Sequence, residues 1–173
     1  MNIDEIIERV NKIPGWFFDS QMRFLYPYAQ QANDILEIGT YAGKSTLFWS
    51  LCNPNARIVT VDNCIGVPSN GITGATILPE VVNSGNIIAI KENSHDLSKR
   101  YTQPIDLAFI DGGHEYADSC QDITDWIPKV KGLLVCHDYM DTWSTVKQAC
   151  NNCLRGKYEL ITDQFDLFVV KNG

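Results

Sequence analysis

The stretch Leu36-Glu37-Ile38-Gly39-Thr40-Tyr41-Ala42-Gly43-Lys44-Ser45-Thr46 decides the fold. An apolar strand from Asp34 to Ile38 carries a carboxylate near its end, a glycine turn follows, and a helix opens at Gly43. In open parallel sheets this strand-turn-helix junction is where a nucleotide-like ligand sits. Three ligands compete for it. A phosphate-binding loop needs four residues between its glycines, but Gly39 and Gly43 enclose three, so one amide of the phosphate nest is missing. Lys44-Ser45 and the strand Leu107-Ala108-Phe109-Ile110-Asp111 keep a nucleotide-binding, P-loop-like protein open as an alternative. A dinucleotide fold needs a glycine at position 41, where the chain has Tyr. S-adenosyl-L-methionine has no phosphate. It needs a tight turn under its methionine part, for which Glu37, Gly39, Thr40 and Gly43 are the candidates. It also needs a carboxylate for its ribose hydroxyls, and Asp62 ends the next strand about twenty residues on.

Outward from this junction the elements alternate. Residues 3–13 and 20–31 read as helices, the second interrupted by Pro27. Strands follow at 34–38, 57–61, 86–90, 105–110 and 133–136, and the last two end at Asp111 and at His137-Asp138. Helices at 43–52, 116–127 and 143–154 fall between them by their apolar spacing. Residues 63–85 read as loop with one short helix near 78–83. A hairpin closes the chain, with strands 158–162 and 165–170 around Asp163-Gln164. Alternating strands and helices imply an α/β, doubly wound, mostly parallel sheet with helices on both faces. The expected organisation is a single domain over 1–173, with 1–31 as a helical cap.

Composition narrows the function classes. The chain has 173 residues and 45% hydrophobic content, enough for one compact core. Fourteen basic against 21 acidic residues, with no basic cluster, argue against nucleic acid as a partner. No apolar run approaches the roughly 20 residues of a spanning helix, and the N-terminus lacks a signal-peptide pattern. The expectation is a cytoplasmic protein with no membrane partner and a small-molecule substrate. Six cysteines contain one close pair, Cys150 and Cys153, with no second pair to complete a zinc site. They read as small core residues.

Asp111 and Asp138 follow neighbouring strands and project into one crevice. Two close carboxylates repel unless something neutral or cationic lies between them, and a magnesium-type ion is one solution. His114, in the loop over that crevice, suits the removal of a proton from a substrate hydroxyl.

Glu37–Thr46, Asp62 and Ile110-Asp111-Gly112-Gly113-His114-Glu115-Tyr116 together resemble the class I methyltransferases. More narrowly, the chain is similar to the small family that includes macrolide-sugar O-methyltransferases, with its D-G-x-H-x-Y motif and an acidic doublet after the fifth strand. The resemblance covers roughly residues 30–170. It implies sheet order 3-2-1-4-5-7-6 with the last strand antiparallel, and S-adenosyl-L-methionine as cofactor. It places Asn93 and Ser94 at the adenine, makes His114 the general base in methylation of a sugar-like hydroxyl, and gives the aspartates a divalent metal (Mg or Mn). Asp111 counts with both the cofactor and the metal. Position 137 departs from the pattern: His replaces the expected acid, so His137 joins Asp111 and Asp138 as a candidate ligand, of a kind that suits manganese, iron or zinc better than magnesium. A catalytically silent cofactor- or partner-binding domain of the same fold is the other alternative. The short recognition surface fits either an open site or one completed by a second subunit in a homo-oligomer.

Overall fold

A computed structural model describes residues 1–63, 67–69, 72–74, 81 and 85–172. Helices α1 (Ile3–Val10) and α2 (Asp19–Gln31) precede strand β1 (Asp34–Ile38), helix α3 (Lys44–Cys52) and strand β2 (Arg57–Val61). A short antiparallel pair, β3 (Val67–Ser69) with β4 (Ile72–Gly74), comes next. Then follow β5 (Ile87–Ile90), α4 (Ser94–Ser98), β6 (Ile105–Ile110), α5 (Tyr116–Trp126), β7 (Val130–Cys136), α6 (Ser144–Cys153), β8 (Glu159–Thr162) and β9 (Phe168–Lys171).

Seven strands form one sheet in the order β5-β2-β1-β6-β7-β9-β8. Counted along the chain within this sheet, that is 3-2-1-4-5-7-6. The first five pair in parallel, and β9 runs antiparallel between β7 and β8. Strand order reverses between β1 and β6, so their carboxyl ends open a crevice.

Alternation along the central strands divides the core in two. Ile35, Leu107, Phe109, Leu133 and Val135 face α1, α2 and α3, where Met22, Leu25, Phe48 and Trp49 are fully buried. Leu36, Ile38, Ala108, Ile110, Leu134 and Cys136 face α5 and α6, against Ile123, Trp126 and Cys150. Both faces are covered, so the strands read as apolar runs rather than polar-apolar alternation. Among the described residues no helix is long and apolar enough to cross a membrane.

Several expected boundaries shift for local reasons. Helix α1 stops at Val10, and residues 11–13 form a turn closed by Lys12 N to Arg9 O (3.2 Å) and Ile13 N to Val10 O (3.0 Å). Helix α2 runs through Pro27 without a break. Pro27 and Arg23, the residue whose carbonyl loses its partner, are both exposed, so water solvates that carbonyl while Met22, Leu25 and Ala29 hold the helix down. Strand β9 starts at Phe168 rather than 165. Phe165 and Asp166 adopt left-handed φ of 59° and 57° in the turn, and their carbonyls accept from Gln21 Nε2 (2.9 Å) and Tyr139 N (3.0 Å). The pair β3–β4 lies where only loop was expected, and the short helix near 78–83 falls, Val81 apart, outside the described residues. Cys52, Cys136 and Cys150 are buried free thiols, and Cys120 and Cys153 are half-buried with their sulfurs 3.4 Å apart.

Candidate active site

The glycine turn works by close approach. Gly39 has φ +90°, and a Cβ there would lie 1.9 Å from the Asp111 carbonyl oxygen. Only glycine therefore lets the ends of β1 and β6 meet. Gly43, at φ 87°, precedes α3, and its N–H closes the turn on the Thr40 carbonyl at 2.8 Å. Asp62 Oδ2 accepts from the amides of Thr40 (2.9 Å) and Tyr41 (3.2 Å), which ties the end of β2 to the turn.

Glu37 stands behind this turn rather than in the crevice. Strand alternation points it at α3, where it is fully buried. Its carboxylate accepts from Trp49 Nε1 (3.1 Å), Thr60 Oγ1 (2.7 Å) and Thr46 Oγ1. Burial pushes its pKa up to about 7, although Ser45, Thr46, Thr60 and Trp49 all pull it down. Glu37, expected at the cofactor, lines neither of the cavities described next; its bonds tie β1 to Thr46 and Trp49 of α3 and to Thr60 of β2.

Two cavities open at the crevice. The first, of about 570 Å³, is lined by Asp62, Asn93, Ser94, His95, Gly112 and Asp122 among others. Asn93 caps α4, its Oδ1 accepting from the amides of His95 (2.9 Å) and Asp96 (3.3 Å). Ser94 Oγ donates to Asp122, whose pKa burial pushes up to about 6. His95 Nδ1 lies 2.5 Å from Asp125 Oδ2, so it is held rather than loose in solvent. The second cavity, of about 640 Å³, is lined by Trp16, Phe18, Lys44, His114, Asp138 and Trp143 among others. Gly39, Tyr41, Asp62 and Asp111 line both, so the two cavities share one wall.

Asp111, His114 and Asp138 converge in the second cavity, with one potential ligand atom from each within 4.8 Å of the others. His114 stacks on Trp143 (centroids 4.2 Å apart), and its carbonyl accepts from Thr145 Oγ1 at 2.6 Å. Its Nε2 lies 2.8 Å from Asp138 Oδ2, yet off the line an N–H···O bond requires. Asp138 raises the His114 pKa more than burial lowers it. Asp138 itself sits at φ 58°, a left-handed conformation uncommon outside glycine. Burial opposes its ionisation, but His114 and His137 outweigh burial and hold it ionised.

His137 takes a different place from the one expected. It continues the alternation of Leu133 and Val135 onto the α2 face, and its side chain is 1% exposed. The ring packs against Phe109 and Phe17, and Nε2 lies 3.2 Å from Gln21 Oε1. Gln21 is fully buried and also bonds Phe18 N (2.9 Å). His137 Nδ1 is 3.2 Å from Asp111 Oδ1 and 3.2 Å from Asp138 Oδ1, behind both carboxylates. Burial lowers its pKa, and the two carboxylates more than reverse this and hold it at about 10. Both imidazoles approach Asp111 and Asp138, that of His114 within the possible ligand group and that of His137 from the buried side.

Three residues here escaped sequence reading. Gln21 and Asp122 are polar residues inside helices whose apolar spacing drew the eye. Lys44 reads as helix surface but is half-buried, with Nζ donating to the Gly15 carbonyl at 3.3 Å. Of the three aromatics 16–18, Phe17 joins the core beside Phe48 and Phe109, while Trp16 is 68% exposed at the second cavity.

A family model described as a methyltransferase domain matches residues 36–139, more than half of the chain. The protein belongs to this methyltransferase family. No curated protein matches it. Among solved structures it is similar to the SAH-bound methyltransferase PaMTH1 from Podospora anserina, at 16% identity over 99% of this chain and 87% of that one, with TM-score 0.70. It is also similar to the O-methyltransferase TomG from Streptomyces achromogenes, involved in tomaymycin synthesis and solved with SAM (18%, 99% and 89%, TM-score 0.65). A third is MycE of the mycinamycin biosynthetic pathway, solved with Mg, SAH and mycinamycin VI (19%, 100% of this chain but 54% of that one, TM-score 0.66). At these identities the likeness is one of fold.

Proposed function

We propose that this protein is an S-adenosylmethionine-dependent O-methyltransferase acting on a hydroxyl of a small, sugar-like molecule. The observation that carries the reading is the wall shared by the two cavities. Gly39, Tyr41, Asp62 and Asp111 separate a polar chamber of cofactor size from a ring-lined chamber holding Asp111, His114 and Asp138. A methyl group passing between two bound molecules needs such a junction, because transfer requires an in-line approach at short range.

Bound S-adenosylmethionine supplies an already activated methyl group, so the chain's own task is binding, alignment and proton removal. Gly39, Thr40 and Gly43 shape the turn beneath the methionine part, Asp62 faces the ribose, and Asn93 and Ser94 lie toward the adenine. Residues 1–31 form the cap of a single domain and bring Trp16 and Phe18 to the acceptor. His114 takes the hydroxyl proton. Asp138, 2.8 Å from Nε2, makes the ring more basic.

The donor set also fits a divalent ion. Asp111 and Asp138 supply hard carboxylate oxygens, and the buried His114 Nε2 lies in reach without an aligned hydrogen bond; a ring that ligated the ion through Nε2 would carry its proton on Nδ1, so ligation and proton removal are alternative roles for His114. Such an ion (Mg or Mn) would lower the pKa of an acceptor hydroxyl held against it. His137 contributes positive charge from the buried side, so it supports the two carboxylates instead of ligating.

Calorimetry with S-adenosylhomocysteine tests the reading first, and absence of binding heat removes it. His114→Ala then separates an enzyme from a silent binding domain. Cofactor affinity is expected to stay within about twofold while kcat falls by roughly 10²–10⁴-fold. Equal loss of both assigns His114 to architecture.

A further inference from the structure

One member of the acceptor cavity plays no part in the chemistry above. Among the residues lining that cavity, Lys44 is the one Lys or Arg, beside Asp62, Asp111 and Asp138. It opens α3, and its stem lies under Gly15, where an added Cβ would meet Lys44 Cβ at 3.4 Å and Cδ at 3.5 Å. The stem is therefore held and the ammonium delivered to a defined place. The Gly15 carbonyl takes one N–H, and an ammonium carries three.

What sets Lys44 apart is its place in the cavity lining, since Lys129 and Lys157 also donate to backbone carbonyls. Lys12, Lys99 and Lys147 each pair with a carboxylate in their own neighbourhood. Among the described residues Lys44 makes no ion pair, and Asp19 acts on it only at longer range. Burial disfavours its charge. A half-buried lysine in the lining of a cavity, with no carboxylate partner among the described residues, is stabilised by a ligand that brings one. The rest of the cavity gives such a ligand one orientation. While Asp111 and Asp138 hold no ion they repel its negative group, with the cationic His137 buried behind them, and Lys44 attracts it, which leaves a hydroxyl for the His114 end. The space between is lined by flat rings: Trp16 against Tyr41 at 5.6 Å, and Trp143 stacked on His114.

We infer that Lys44 is the specificity-determining residue of the acceptor cavity, selecting a hydroxylated ring that carries a carboxylate away from the reacting hydroxyl. This rests on the methyltransferase reading above and adds the charge class of the acceptor. Both a sugar acid and an aromatic acid have this chemistry, and the test has an arm for each.

The test is calorimetry on the full chain loaded with S-adenosylhomocysteine, in buffer without added divalent cations. The probes are two matched pairs: glucuronate against glucuronamide, and 3,4-dihydroxybenzoate against 3,4-dihydroxybenzamide. One acid is expected to bind at least about tenfold more tightly than its amide, as a charge-assisted contact predicts. Lys44→Met keeps most of the stem and removes the charge. It should weaken the acid by roughly 10–30-fold and leave the amide within about twofold. The pair that shows the preference identifies the ring. Overturning results are acids that bind no better than amides or not at all, or a Lys44→Met variant that weakens both equally with a lowered Tm, which would make Lys44 a staple between residue 15 and α3. Absence of S-adenosylhomocysteine binding instead overturns the methyltransferase reading, and this inference falls with it.

Discussion

Glu37 should make the folded protein lose stability as pH rises toward neutrality, and the size of the effect follows from its surroundings. The carboxyl is fully buried, and its pKa is pushed from 4.5 to about 7. The folded state therefore keeps a proton that the unfolded chain has released. Stability from this group is fully present below pH 4.5, is lost between 4.5 and about 7, and is constant above. At about 1.4 kcal/mol for each pH unit, that interval corresponds to roughly 3 kcal/mol. Glu37→Gln isolates it. The amide has the same shape, its oxygen still accepts from Trp49 Nε1, and its nitrogen donates to the hydroxyl oxygens of Thr46 and Thr60. Those hydroxyls can turn, Thr60 toward Thr40 Oγ1 at 2.6 Å. The assay is urea unfolding of both proteins from pH 4.5 to 8. The stability of the Gln variant relative to wild type is expected to rise by about 3 kcal/mol across that range and then level off. A difference constant to within about 0.5 kcal/mol would refute the reasoning: it would mean that the surrounding donors keep the carboxyl ionised at its ordinary value.

Two further outcomes follow from the turn. Gly39→Ala drives a Cβ to 1.9 Å from a backbone oxygen at φ +90°, so it should lose roughly 3 kcal/mol or more and S-adenosylhomocysteine binding with it; a variant that melts with wild type and binds normally contradicts the close approach. Asp62→Asn preserves an acceptor for the Thr40 and Tyr41 amides but removes the charge, so Tm should hold while S-adenosylhomocysteine affinity drops by about 10–100-fold in calorimetry; unchanged affinity would take Asp62 off the ribose.

The parallel, doubly wound sheet was legible because each central strand is an apolar run ending in a polar residue at the carboxyl edge, while the strand order came with the resemblance to the class I methyltransferases. Glu37 and His137 were placed less well, both for one reason. Position along the chain puts them near the crevice, but alternation decides which way a strand residue points. Ile35 and Glu37 share the α3 face, as do Leu133, Val135 and His137. Carrying that alternation one residue beyond β7 would have predicted a buried histidine. Lys44 offered no comparable signal, since its burial depends on residues 15–18 folding over α3, a contact local spacing does not encode. The departure at position 137 therefore concerns packing as much as metal choice. A carboxylate there would lie among Phe17, Phe109 and Gln21 beside two others. The imidazole instead places a cationic ring 3.2 Å from both Asp111 and Asp138. The two carboxylates are thus held together from behind by a residue of the core, and the face they turn to the cavity, with His114, is where the proposed ion or acceptor would sit.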